Sequence, residues 1–208
     1  MKRFLTFVLF ISSSAFCQLS YATEQAEEIF KQLAPSLYQI RLIDLASGEK
    51  SSIGSGFQIS SDGLIATNYH VVSGYANHPQ KYRLEYLDNL GNKAALTLES
   101  VDVINDLALV KRETTTSMAY FSLAQNVPVK GQELYSLGNP HDLGMIVVPG
   151  TYNGLKKESF NDRIHFTGSV NSGMSGGPVV NQQTEVVGIN VATSGNQIGF
   201  LVPHEKLV

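Results

Sequence analysis

The 208-residue chain predicts an all-β fold: two six-stranded antiparallel β-barrels preceded by a short N-terminal helix. Three observations carry that expectation. About a dozen short runs rich in Val, Ile, Leu, Tyr and Phe follow one another, from "SLYQIRLIDL" to "IGFLVP", with turn residues between them. No helical patterns are interleaved with these runs, which argues for a sandwich or a barrel rather than an alternating α/β chain. A polar stretch, Arg112 to Tyr120, divides the strands into two groups of about six and reads as the connection between two barrels, near residues 36–112 and 120–203.

The chain opens on Lys2 and Arg3, then the apolar run Phe4 to Phe16, then small residues Ser20 and Ala22. That is the pattern of a secretory signal peptide cut after Ala22, with the run too short for a comfortable membrane span. Residues 23–208 are then the exported domain, periplasmic or secreted. Cys17 lies inside the leader behind Phe16, which is too large for a lipoprotein cleavage site. The remaining chain has no cysteine, so it has no disulfides, must be held by its core, and has no thiol nucleophile.

Next comes "TEQAEEIFKQLAPS", where Thr23 offers an N-cap, acidic residues fill the first turns and Pro35 ends the helix. The strands follow, with turns at Ser47-Gly48, Asp62-Gly63, Asn89 to Asn92, Asn181 to Thr184 and Ser194 to Asn196. The net charge is −3 and no block of Lys or Arg exists, so a nucleic-acid partner has no electrostatic footprint. No second apolar run approaches membrane-helix length, and no membrane association is expected once the leader is removed. His78, His141, His165 and His204 are scattered without metal-ligand spacing, so no metal and no cofactor is expected.

Gly173-Met174-Ser175-Gly176-Gly177 fits G-x-S-x-G. Three readings compete: a nucleophile elbow, the serine loop of a chymotrypsin-type barrel, and a plain glycine turn. An elbow leads from a strand into a helix within an α/β chain. Here Pro178 leads into Val179-Val180, and His204 is the only histidine downstream, so the elbow fails on context. The chymotrypsin-type order needs a histidine and then an aspartate upstream of the serine. His70, at the tip of the strand "GLIATNYHVV", and Asp106, just before "LALV", meet that order, with Asp102 as the weaker rival. A serine hydroxyl is a poor nucleophile until an oriented imidazole takes its proton. The backbone N–H groups of Gly173 and Ser175 would converge on an oxyanion, in a curled backbone that glycine tolerates.

The segments "GSGFQISSDGLIATNYHVV", "NDLALVK", "LGNP", "SGMSGGPVVN" and "VVGINVA…IGFLVP" together resemble the HtrA/DegP-like branch of the trypsin-like serine proteases. The likeness covers nearly all of residues 26–203. It implies the chymotrypsin/trypsin-like double barrel, with His70 as base and acid, Asp106 as its orienting partner and Ser175 as nucleophile. It covers the protease domain only, without the PDZ domains that usually follow it. The family usually has Asn where this chain has Met174 and a second Asn where it has Tyr69. With Met174 in place of an Asp and no new Ile N-terminus, trypsin-style zymogen activation is excluded. A homotrimer is the family's implication for assembly.

By the same resemblance the S1 pocket is bounded by Ser169, by Val191, Ala192 and Thr193, and by Ile198. None is acidic, so Lys or Arg at P1 would be buried unpaired, and small or medium aliphatic residues are expected there. "SLGNPHDLG" reads as a loop at the cleft rim, or as a plain turn. The expected partners are polypeptide substrates. The competing function is a non-catalytic, chaperone-like module that only holds chains in the same cleft.

Overall fold

The computed structural model describes residues 15–157 and 161–207. Lys2, Arg3 and the apolar run as far as residue 14, on which the leader reading chiefly rests, lie outside the described residues.

The predicted double barrel is present. Strands β1 (Leu37–Asp44), β2 (Lys50–Gln58), β3 (Leu64–Thr67), β4 (Tyr82–Leu87), β5 (Lys93–Asp102) and β6 (Leu107–Arg112) close in the order β1-β2-β3-β6-β5-β4. Strands β7 (Glu133–Gly138), β8 (Ile146–Lys157), β9 (Asp162–Thr167), β10 (Pro178–Val180), β11 (Val186–Thr193) and β12 (Ile198–Pro203) close in the order β10-β11-β12-β9-β8-β7. All ladders between these strands are antiparallel.

The period-two alternation of each strand decides what faces what. In β1, Tyr38, Ile40 and Leu42 point into the first barrel with Leu84, Ala108 and Val110. Leu37 takes the other face and joins a second cluster with Phe57, Tyr135, Leu137, Val186 and Ile189, the seam between the barrels. Leu134, Tyr152, Phe166, Val179 and Leu201 fill the second barrel. The connection between β6 and β7 feeds the seam through buried Phe121, whose N–H donates to the Gln58 carbonyl at 2.8 Å.

Two local expectations change. Helix α1 runs Ala15–Leu33, so Thr23 lies inside it rather than capping it; Ile29 and Leu33 cover the seam, and Pro35 in the following turn ends it as expected. The strand "GLIATNYHVV" stops at Thr67, and His70 is the second residue of helix α2 (Tyr69–Asn77). The adjacent valines suggest strand by propensity, but both are buried on one face of α2 in the first barrel's core, with Tyr75 packed against it, and packing outweighs propensity. Among the described residues no helix is long and apolar enough to cross a membrane.

Candidate active site

Asp106 closes the turn between β5 and β6 with φ 61°, a left-handed conformation that Asp tolerates better than most side chains. Asp102, the rival carboxylate, holds that turn instead. It accepts from the Asn105 N–H at 3.0 Å and the Asn105 side chain at 2.6 Å, bonds that pull its pKa below the usual carboxylate range. So presented, Asp106 grips the start of α2 at two points. Its Oδ1 accepts from the His70 backbone N–H at 2.9 Å and its Oδ2 lies 2.7 Å from His70 Nδ1. A carboxylate there fixes the tautomer, with the proton on Nδ1 and Nε2 left as acceptor. The Asp106 carbonyl accepts from the Tyr69 N–H at 3.2 Å and the Asn68 side chain at 2.8 Å. The His70 side chain is half exposed, at 49%, and Asp106 is 23% exposed rather than buried.

The serine loop belongs to the second barrel but is moulded against the first. The Ser175 carbonyl accepts from the Ser55 N–H at 2.7 Å, and the Gly173 carbonyl from the Ser55 hydroxyl at 2.7 Å. The Ser172 carbonyl accepts from the His141 N–H at 2.9 Å. The Met174 N–H donates to the Asn171 carbonyl at 3.0 Å across a turn whose third residue, Gly173, has φ 93°, the position that favours glycine in a type II turn. Gly176, at φ 84°, lies so close to Ser55, Thr67 and Asn68 that a Cβ would collide with all three. That contact brings the loop to Thr67 at the end of β3 and to Asn68, two residues before His70.

The amides of the loop then divide in two. Those of Met174, Gly176 and Gly177 donate to Asn171, Asn190 and Met174 carbonyls at 2.9–3.0 Å. Among the described residues the amides of Gly173 and Ser175 have no partner, and these are the pair expected to meet an oxyanion. The Ser175 hydroxyl donates to the Val191 carbonyl at 3.4 Å, and among the described residues it makes no hydrogen bond to His70.

Met174 is fully buried in the second barrel's core, with its Cα and side chain against Gly138, where a Cβ would come within 2.9–3.1 Å. The loop is thus held at this point by packing. Of the expected pocket residues, Val191 adjoins Ser175, while Ser169 and Thr193 are exposed. The Thr193 hydroxyl donates to the Ile198 carbonyl at 3.1 Å, and Ile198 shares an open surface groove with His165, Leu155 and Phe200. Among the described residues no cluster of side chains suits a metal ion. Buried His204 packs against the Val187 carbonyl at 3.2 Å.

Several residues around the site were not singled out in the sequence, although Ser55, Asn68, Asn139 and Asn190 lie within the quoted motifs. Asn190 is buried and bonds Ser136 at 2.9 Å and the Leu137 carbonyl at 3.2 Å. Ser55, Asn68, Asn139 and Gln39 are likewise buried polar residues. The signal available was their polarity inside apolar strand text, since buried polar groups need partners.

A closed pair of six-stranded barrels, with a carboxylate-held histidine on one and a glycine-framed serine on the other, defines the trypsin-like class of peptidases. The chain belongs to the trypsin-like peptidase domain family, which matches residues 54–189. It is similar to serine protease HTR4 of Rattus norvegicus, 34% identical over 86% of this chain and 38% of that protein. It is also similar to serine protease HTRA3 of Homo sapiens, 28% identical over 86% of this chain and 43% of that protein. The chain therefore spans less than half the length of these curated relatives. Among solved structures, Deg5 superposes with a TM-score of 0.76 and 26% identity, over 89% of this chain and 91% of that one. The serine endoprotease from Yersinia pestis gives a TM-score of 0.76 and 25% identity, over 88% of this chain and 63% of that one.

Proposed function

We propose that the chain is a serine endopeptidase that is exported and hydrolyses peptide bonds of polypeptides, unfolded ones included. The observation that carries this reading is Asp106 gripping both the backbone and the ring of His70, beside a loop whose Gly173 and Ser175 amides have no partner among the described residues. In the proposed cycle, substrate binding turns the Ser175 hydroxyl from the Val191 carbonyl towards His70, since catalytic hydrogen bonds often align only with substrate in place. Oγ bonds to the scissile carbonyl carbon while Nε2 takes its proton, and Asp106 stabilises the imidazolium. The amides of Gly173 and Ser175 donate to the developing oxyanion. The imidazolium gives its proton to the leaving amine, and water then repeats the sequence on the acyl-enzyme.

At P1 we favour small or medium aliphatic residues, because Ser169, Val191, Ala192, Thr193 and Ile198 offer no acid to pair with Lys or Arg. Export rests on the leader text and predicts a mature N-terminus at Thr23, checked by sequencing the released protein.

The bond from Ser175 to the Val191 carbonyl favours one second reading, a latent or non-catalytic module that holds chains without cutting them. Casein digestion by residues 23–208 and by Ser175→Ala separates the two. The peptidase reading requires products from the first alone; casein bound but left intact by both supports the second. A peptide library cut chiefly after Lys or Arg would overturn the aliphatic preference.

A further inference from the structure

The turn that lies over the serine loop is itself under strain. His141 and Asp142 are consecutive non-glycine residues with φ 52° and 62°, a conformation that side chains disfavour and that persists only where the surroundings impose it. What imposes it here is an ionic contact with the other barrel. One Asp142 carboxylate oxygen accepts from the side-chain amide of Gln39 at 2.6 Å, and the other is paired with the Lys50 ammonium. Arg41 stands 3.8 Å away and donates to the Gln39 side-chain oxygen. Gln39 lies opposite Ser55 in the β1–β2 ladder, so the two ties to the first barrel leave from neighbouring positions. The hydrogen bonds of Asp142 hold its pKa below the usual carboxylate range, with Lys50 the larger cause and Gln39 the next.

The same turn shapes the serine loop. The His141 N–H fixes the Ser172 carbonyl at 2.9 Å, and the Asn139 carbonyl fills the space where a Cβ on Gly173 would stand. The Asn139 N–H donates at 2.9 Å to the Ser55 hydroxyl that binds the Gly173 carbonyl. Turning the peptide between Ser172 and Gly173 would break the first of these bonds and aim the Gly173 N–H elsewhere.

We propose that Asp142 is a positioning residue for the oxyanion site: its contact with Gln39 and Lys50 keeps the 139–142 turn in the strained shape that aims the Gly173 amide beside that of Ser175. The catalytic part rests on the peptidase reading above; the structural part does not.

The test compares wild type with Asp142→Asn, which keeps an acceptor and tolerance of the left-handed conformation, and with Asp142→Ala, which keeps neither. Hydrogen exchange of 139–144 and 171–176 is followed together with peptide kcat and KM. Faster exchange confined to those segments, larger for Ala than Asn, is expected, with kcat down about ten- to a hundredfold and KM within about twofold. Unchanged exchange at 171–176 in both variants, or loosening spread evenly over both barrels, overturns the proposal. A raised KM with unchanged kcat overturns it too, because Asp142 would then be contacting substrate. If wild type cleaves nothing while exchange responds as expected, the peptidase reading fails and the structural brace stands.

Discussion

The two halves of the site are built in different ways. His70 and Asp106 are 36 positions apart in one barrel and hold each other directly, through two bonds of 2.9 and 2.7 Å. The Gly173 carbonyl is held by Ser55, 118 positions away in the other barrel, and the turn over it is held by Gln39 across 103 positions. The proposed base is thus oriented by contacts within the first barrel. The proposed oxyanion loop draws the contacts that shape it from the other barrel. Damage to the seam should therefore reach the loop while leaving the histidine oriented.

The largest expected effect breaks the local half. Asp106→Asn tolerates the left-handed turn but fails to hold the imidazole tautomer, so kcat falls about 10⁴-fold with little change in Tm. Steady-state kinetics beside thermal melts check this; a loss below tenfold would mean that the His70–Asp106 contact is structural only.

Met174→Ala attacks the other half through its core anchor. Emptying a fully buried site costs about 2–5 kcal/mol of stability, read from denaturant unfolding. A variant as stable as wild type would show that packing does not hold this corner.

Ser55→Ala removes one hydroxyl and orphans two partners, the Gly173 carbonyl and the Asn139 amide. About 1–3 kcal/mol of destabilisation follows from leaving a buried polar group unpaired. The kcat should fall while the His70 ring stays in place, which NMR of the imidazole can follow.

Acid gives the smallest effect. The groups around Asp142 are Lys50, Arg41 and Gln39, and its folded pKa is lowered. Its contribution is full above the unfolded value of about 4 and is lost as pH falls through the lower folded value. Hydrogen exchange at 139–144, corrected for its intrinsic pH dependence, should loosen only in that window, and Asp142→Asn should abolish the change.

The same contrast explains what could be read from the chain. His70, Asp106 and Ser175 were picked out because the proposed chemistry demands those residue types in one order, and of these the structure brings His70 and Asp106 into contact. The double barrel was legible from strand spacing and the polar divide. Helix α2 was not, because Val71-Val72 carries strand propensity and only the first barrel's core selects a helix. The start of α1 was misread at Thr23 because a good capping residue also fits inside a helix. Ser55, Asn139 and Asp142 lie in quoted segments, yet their ties, like those of Gln39, were not legible because the partners depend on the docked register of two barrels, and no local pattern encodes that.

The most direct measurement is the rate at which a serine-directed phosphonate modifies the protein, with the labelled peptide located by mass spectrometry. The account predicts a single adduct on Ser175 in wild type, formed at least a hundredfold more slowly in His70→Ala, as expected when the activating base is removed. Labelling spread over several serines, or Ser175 labelled equally fast without His70, would contradict it.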